Sequence, residues 1–284
     1  MSRAAQNRAA QNRAAQNRVW PLPFTAPAQR RHRLCPLVMV GDPDMGATRA
    51  LLDLCLSLGI DLVELCLPFP NAFTDGETLR RAHGRGLASG AGLPEALRLI
   101  ADYAGRIDMI LLADSSHHLR PLGLAEVCTA AAEAGAAGIL PHGLPPRLTE
   151  AFHHAAQAAG LPVVGTLYAG SAPDQRQAAV ARSTAFLYLV SAYGRSGGAA
   201  QPHLPGPEIA ALRQITDLPV ALGFGLKTRA DVEAAFAAGA RIAIVGSALS
   251  AAVEAGLGQP DPLAPARALL TDLTAALPAE EPVA

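Results

Sequence analysis

From residue 34 onward the chain alternates short apolar segments with longer amphipathic ones, and no other feature restricts its fold so strongly. Eight segments rich in Val, Ile and Leu are each followed by a stretch with helical periodicity, the first at residues 34–40 and the last at residues 242–245. Strands that are apolar throughout are typical of a sheet buried on both faces, and helices between them connect parallel strands. The pattern therefore predicts an α/β fold with one helix after each strand.

Eight such units in about 250 residues predict a (β/α)8 TIM barrel. The chain of 284 residues accommodates one such domain, which we place at residues 31–278. The rival architecture is an open doubly wound sheet, which normally carries a glycine-rich dinucleotide-binding turn after its first strand. Here that turn reads Gly41-Asp42-Pro43-Asp44, which is not that fingerprint, so the barrel is favoured.

The first 30 residues differ in character from the rest of the chain. The unit Arg-Ala-Ala-Gln-Asn is repeated through residues 3–17, and a Pro-rich stretch follows at residues 20–27. The repeat lacks the continuous apolar segment that a cleavable secretory signal requires. Repetitive polar sequence of this kind cannot bury a core, so residues 1–30 are predicted to be a disordered tail and linker.

Charge and cysteine usage narrow the class of protein. The formal net charge is −1, so electrostatics gives no case for nucleic-acid or membrane binding. No apolar run approaches the roughly 20 residues that a membrane-spanning helix needs. The four cysteines are scattered through apolar segments without metal-binding or redox spacing. They are interpreted as reduced core residues, which favours a cytoplasmic protein.

Two carboxylates, Glu64 and Asp75, stand out as candidates for catalysis. Glu64 lies inside the predicted second strand, at residues 61–65, between apolar neighbours. Losing hydration there costs several kcal/mol or raises the pKa of the carboxyl, so Glu64 either pairs with an arginine or takes part in chemistry. Asp75 follows on the next loop and either caps the following helix or partners Glu64. Two such groups are the ingredients of general acid–base catalysis.

Glycines after the last strands predict an anion site. Gly223 and Gly225 follow strand seven, Gly246 and Ser247 follow strand eight, and Gly197 lies in the loop after strand six. Backbone N–H groups at such turns, next to a helix N-terminus, bind phosphate, and barrels often use these loops for it. Plain turn glycines are the alternative. No metal-ligand spacing occurs among the histidines, so neither a metal nor another cofactor is predicted.

Several short motifs, in order and at matching spacing, resemble the tryptophan synthase alpha subunit family over residues 34–254. They are Gly41-Asp42-Pro43, Val63-Glu64-Leu65, Pro68-Phe69, Asp75-Gly76 followed by Arg81-Ala82-His83, Leu144-Pro145-Pro146, Tyr188-Leu189-Val190-Ser191 with Gly194 to Gly197, Gly223-Phe224-Gly225 and Val245-Gly246-Ser247-Ala248. The resemblance implies a (β/α)8 barrel that cleaves indole-3-glycerol phosphate into indole and glyceraldehyde 3-phosphate. It also implies a tryptophan synthase beta subunit as partner.

The resemblance also implies roles for individual residues. Glu64 matches the catalytic glutamate of the family, and Asp75 matches the aspartate that polarises the indole N–H. The implied substrate contacts are Tyr188, Leu112, Phe224 and Ser196, and the implied phosphate cradle is Gly197, Gly223, Gly225, Gly246 and Ser247.

The chain departs from the family pattern in loops that normally face the beta subunit. Residues 70–74 differ from the usual loop sequence, and Gly143 replaces an aspartate of the strand-four loop. Two alternatives therefore stand beside the lyase. One is a divergent paralogue that acts on another phosphate ester, and the other is a non-catalytic homologue that binds a phosphate ligand.

Overall fold

In the computed structural model, residue 24 and residues 31–190, 205–223 and 225–277 are described. Eight strands occur in this part of the chain. They are β1 (Arg33–Met39), β2 (Leu62–Cys66), β3 (Asp108–Asp114), β4 (Gly138–His142), β5 (Gly165–Tyr168), β6 (Leu187–Val190), β7 (Val220–Leu222) and β8 (Ile242–Val245). The main helices are α1 (Met45–Ser57), α2 (Glu77–Ala88), α3 (Leu93–Tyr103), α4 (Leu124–Ala134), α5 (Pro146–Ala158), α6 (Pro173–Arg182), α7 (Gly206–Arg213), α8 (Arg229–Ala237), α9 (Ser247–Gly256) and α10 (Ala264–Thr274).

All eight strands are parallel, and their order closes them into a barrel. The hydrogen-bonded order is β4-β3-β2-β1-β8-β7-β6-β5, with β1 between β2 and β8. The last seam, between β4 and β5, is joined by a single bridge from Ile139 to Val163. The predicted (β/α)8 TIM barrel is thereby confirmed.

Side chains from the strands alternate between the barrel interior and the layer under the helices. On β2, Leu62 and Cys66 belong to the inner cluster, whereas Val63 and Leu65 pack against the helices. Because successive side chains of a strand point to opposite faces, Glu64 shares the inward face of Leu62 and Cys66. Its neighbours in the sheet are Leu37 of β1 and Ile110 of β3. The fold therefore directs Glu64 into the barrel.

Two helices separate β2 from β3, where the alternating pattern predicts one. The additional helix, α3, begins after Gly92, whose backbone N–H donates to the Glu95 side chain at 3.1 Å. Pro94 stands in its first turn, a position that proline favours because its missing N–H would lack a helical partner there. The prediction of one helix per strand is thus wrong at this connection. The barrel is preserved, because the two helices together return the chain to the end of the barrel at which the parallel strand β3 begins.

Phe24 packs in the barrel interior although it lies before the predicted domain boundary. Its side chain is 2% exposed, and its ring meets the ring of Phe186 edge-on at 5.3 Å. The Arg33 guanidinium lies over the ring of Phe24, at 5.6 Å from its centroid. Apart from Phe24, residues 1–30, which the sequence predicts to be a disordered tail and linker, lie outside the described residues. Phe24 belongs with the barrel core.

Deleting residues 1–30 is therefore expected to lower the free energy of unfolding by about 1.5–3 kcal/mol, the value of burying one phenylalanine. Urea unfolding followed by circular dichroism measures this change. The matched control is deletion of residues 1–18, which removes the repeat and keeps Phe24, and whose stability should equal that of the full chain. Equal stability of both truncated proteins would contradict a structural role for Phe24.

Two further observations concern the described residues as a whole. No helix among them is both long and apolar enough to cross a membrane. The four cysteines, Cys35, Cys55, Cys66 and Cys128, are buried free thiols.

Candidate active site

A cavity of about 900 Å³ opens at the carboxyl ends of the strands, where barrels place their active sites. It brings together residues that are far apart in the sequence but were predicted to share a site. The predicted residues that line it are Glu64, Asp75, Leu112, Tyr188, Gly223, Gly225, Gly246 and Ser247. Three other predicted site residues, Ser196, Gly197 and Phe224, lie outside the described residues.

Glu64 is buried at the cavity wall without the partner that a structural carboxylate would have. Its side chain is 1% exposed, and Oε1 has no hydrogen-bond partner among the described residues. Nor does any described arginine form a salt bridge with it, so the arginine-pairing alternative finds no support there. Loss of hydration raises the pKa of Glu64 from 4.5 to about 8. The carboxyl is therefore largely protonated at neutral pH and can act as an acid.

Asp75 does not cap helix α2. The N-cap position is occupied by Gly76, and no side chain there accepts a capping hydrogen bond. The Asp75 carboxylate instead lies 3.0 Å from His83, between Oδ2 and the ring Nε2. His83 belongs to one of the motifs that carry the family resemblance, but no role was predicted for it; it stands on the buried stripe of α2 with Leu79 and Ala82. A polar residue in that stripe is the sequence signal that could have identified it.

Position 223 requires a glycine because Tyr188 packs against it. A Cβ atom at Gly223 would lie 2.3 Å from the Tyr188 hydroxyl oxygen and 2.9 Å from Cβ of Ile244. Burial raises the pKa of Tyr188 well above its ordinary value, and the neighbouring Glu64 raises it further. The glycine predicted to approach phosphate therefore has a packing requirement of its own, which the sequence analysis did not foresee.

Gly225, Gly246 and Ser247 form the rim of the cavity near the start of α9. Gly225 has a φ of +84°, a conformation that side chains with a Cβ rarely adopt. A Cβ at Gly246 would come no closer than 3.6 Å to Leu37, which is ordinary contact. No described protein atom therefore requires glycine at position 246. Helix α9 begins at Ser247, so its first N–H groups have no helical acceptor.

Four histidine rings surround Phe69, at the start of the loop that leads from β2 to Asp75. The ring centroids of His83, His117, His118 and His142 lie 4.3, 5.4, 6.1 and 5.8 Å from that of Phe69. Burial lowers the pKa of His118. Across the described ranges, no group of three or more His, Cys, Asp or Glu side chains is arranged to hold a metal ion. The cluster is thus an aromatic packing arrangement that supports the loop.

Comparison with known proteins gives a consistent result. The family model described as tryptophan synthase alpha chain matches residues 24–271. The tryptophan synthase alpha chain of Synechococcus sp. (strain CC9902) is 34% identical over 241 residues, covering 80% of this chain and 89% of the relative. That of Caulobacter sp. (strain K31) is 36% identical over 232 residues, covering 80% and 84%.

Solved structures agree with the sequence relatives. Mycobacterium tuberculosis tryptophan synthase superimposes with a TM-score of 0.78 at 27% identity, covering 92% of this chain and 98% of the other. A mutant tryptophan synthase alpha-subunit from Pyrococcus furiosus gives a TM-score of 0.77 at 25% identity, covering 86% and 99%. With the family model matching most of its length, this chain belongs to the tryptophan synthase alpha chain family.

Proposed function

We propose that Glu64 and Asp75 are the catalytic carboxyl groups of this chain, acting on a substrate held in the cavity at the carboxyl ends of the strands. The chain is a carbon–carbon lyase of tryptophan biosynthesis that cleaves indole-3-glycerol phosphate into indole and glyceraldehyde 3-phosphate. The observation that carries the catalytic assignment is Glu64, a buried carboxyl with an unpartnered oxygen at a cavity that Asp75 also lines.

The reaction requires proton transfers that these two groups can perform. Glu64, which is largely protonated at neutral pH, gives its proton to C3 of the indole ring, and the ring nitrogen becomes positively charged. Asp75 accepts a hydrogen bond from the ring N–H and stabilises that charge. The bond between C3 and the glycerol carbon then breaks, its electron pair returns to the ring, and the hydroxyl of that carbon becomes the aldehyde. The hydroxyl proton passes to the Glu64 carboxylate, which restores the acid.

The phosphate of the substrate is proposed to bind at the start of α9. The unpaired N–H groups of the first turn and the helix dipole favour a negative charge there. The space beside Gly246, which a Cβ would enter without a clash, lets a ligand approach the backbone. Leu112 and Tyr188 line the same cavity and would contact the indole and glycerol parts. Ser196, Gly197 and Phe224 complete the proposed set.

A beta subunit is the proposed protein partner, and the cytoplasm the proposed compartment. Phe73 lies on the loop between β2 and Asp75, which the family resemblance assigns to the partner interface, and it is 74% exposed. This is the highest exposure among the large apolar side chains in the described part of the chain. A partner that covers the loop would bury Phe73.

The test is an assay of the purified chain with indole-3-glycerol phosphate. We expect release of indole and glyceraldehyde 3-phosphate in equal amounts, and faster release when a tryptophan synthase beta subunit is added. A folded protein that binds glyceraldehyde 3-phosphate but releases no indole, with or without a beta subunit, would contradict the lyase and favour a divergent paralogue or a non-catalytic homologue.

A further inference from the structure

His83 of helix α2 holds the loop that carries Asp75 at both of its ends. Its side chain is buried, with 4% exposed. The ring Nε2 lies 3.0 Å from Oδ2 of Asp75, at the end of the loop. The ring Nδ1 accepts a hydrogen bond of 3.1 Å from the backbone N–H of Phe69, at the beginning of the loop. One imidazole thus joins the two ends of the seven-residue segment from Phe69 to Asp75 to the helix that follows it.

These two contacts fix the tautomer of His83. A backbone N–H can only donate, so Nδ1 must be the unprotonated nitrogen of the ring. The proton of the neutral imidazole is then on Nε2, and it points to the Asp75 carboxylate. The direction of the bond to Asp75 therefore follows from the Phe69 backbone, which is on the other side of the ring.

The ring itself is held by packing. Its centroid lies 4.3 Å from that of Phe69, with the two planes inclined by 60°. Phe69 is 4% exposed and in turn contacts the rings of His117 and His142. The donor to Asp75 is consequently held on the buried side of helix α2 and against a packed aromatic cluster. The loop itself contributes little to holding Asp75 in place. Its backbone hydrogen bonds are local, from the N–H of Phe73 to the carbonyl of Asn71 and from the N–H of Asp75 to the carbonyl of Ala72.

We propose that His83 is a positioning residue for Asp75. Its Nε2–H donates to one carboxylate oxygen and sets the plane of the carboxylate, so that the second oxygen is presented to an N–H donor of the substrate ring. This inference rests on the proposed role of Asp75. Orientation of this kind matters because displacing a catalytic group by about 1 Å can cost about 10²-fold in rate.

Two amide variants separate the two bonds of His83. The amide of Asn reaches the place of Nδ1, so His83→Asn keeps an acceptor for the Phe69 N–H and loses the donor to Asp75. The amide of Gln reaches the place of Nε2, so His83→Gln keeps the donor and loses the acceptor. Each variant loses one hydrogen bond, so the two should lose similar amounts of thermal stability.

The expected result is a difference in kcat between variants of similar stability. His83→Asn should lower kcat by on the order of 10-fold to 10²-fold, with a smaller change in KM, whereas His83→Gln should stay near wild type. A purely structural role would lower kcat equally in both variants, in step with their thermal stability. Equal kcat in the two variants therefore overturns the inference.

A double-variant cycle distinguishes this inference from the proposed function. If His83 acts through Asp75, adding His83→Asn to Asp75→Asn should produce no further loss of kcat. An additive loss would show that His83 acts by another route. If Asp75→Asn alone leaves kcat unchanged, the proposed role of Asp75 is wrong, and the positioning role of His83 is wrong with it. Indole release from indole-3-glycerol phosphate is the readout in every arm.

Discussion

Glu64→Gln is expected to lower kcat for indole release by at least ~10²-fold, the usual contribution of a general acid–base residue. Glutamine has the shape of glutamate but cannot deliver a proton to indole C3 or accept one from the glycerol hydroxyl. KM and the affinity for glyceraldehyde 3-phosphate should stay close to wild type, because the proposed phosphate cradle lies on other strands. Steady-state kinetics and calorimetric titration measure these quantities. A variant with wild-type kcat would contradict the mechanism.

The stability of the same variant provides its control. The folded protein raises the pKa of Glu64 from 4.5 to about 8, so it holds this proton more tightly than the unfolded chain does. The stabilising contribution is fully present below pH 4.5 and is lost as the pH rises to about 8, by about 1.4 kcal/mol for each pH unit. Glutamine carries no such proton. Without ligand, Glu64→Gln should therefore be more stable than wild type at pH 9, and the advantage should shrink towards pH 4.

The sequence predicts the barrel well because its signals are local. Helix α2 spans Glu77–Ala88, and strand β7 spans Val220–Leu222, as the apolar periodicity and the flanking glycines predict. Helix α3 escaped prediction because the rule of one helix per strand leaves no place for a second one. Phe24 escaped for another reason. Its contacts with Phe186 and Arg33 depend on the closed barrel, and the proline-rich sequence around it is typical of a linker.

The same distinction holds for the candidate site, where some residues can be predicted from the local sequence and others only from contacts in the fold. Glu64 could be singled out because a carboxylate inside an apolar strand is anomalous in the sequence itself. The tasks of Gly223 and His83 depend on contacts across the barrel or around a loop. Gly223 has to leave room for a tyrosine on the neighbouring strand, and His83 has to reach both Phe69 and Asp75. The spacing of residues along the chain does not give their distances in space. These contacts can therefore be recognised only once the positions of the strands and the loop are known.

Ser247→Asp is expected to weaken binding of glyceraldehyde 3-phosphate by ~10³-fold, because two unit charges about 4 Å apart repel by about 4 kcal/mol near a protein surface. Ser247 is the first residue of α9 and lines the cavity. A negative charge at this end of a helix interacts favourably with the helix dipole, so the variant should be as stable as wild type or more stable by about 0.3–1 kcal/mol. Affinity and stability should therefore change in opposite directions.

Ser247→Asn is the matched control, since its side chain is similar in size to that of aspartate and uncharged. It should bind glyceraldehyde 3-phosphate nearly as well as wild type, which assigns the loss in Ser247→Asp to charge alone. Titration calorimetry gives both affinities, and thermal unfolding without ligand gives both stabilities. Wild-type affinity in both variants would place the phosphate elsewhere than at the start of α9. Loss of affinity in both would show that the serine hydroxyl, and not the helix end, is the main contact.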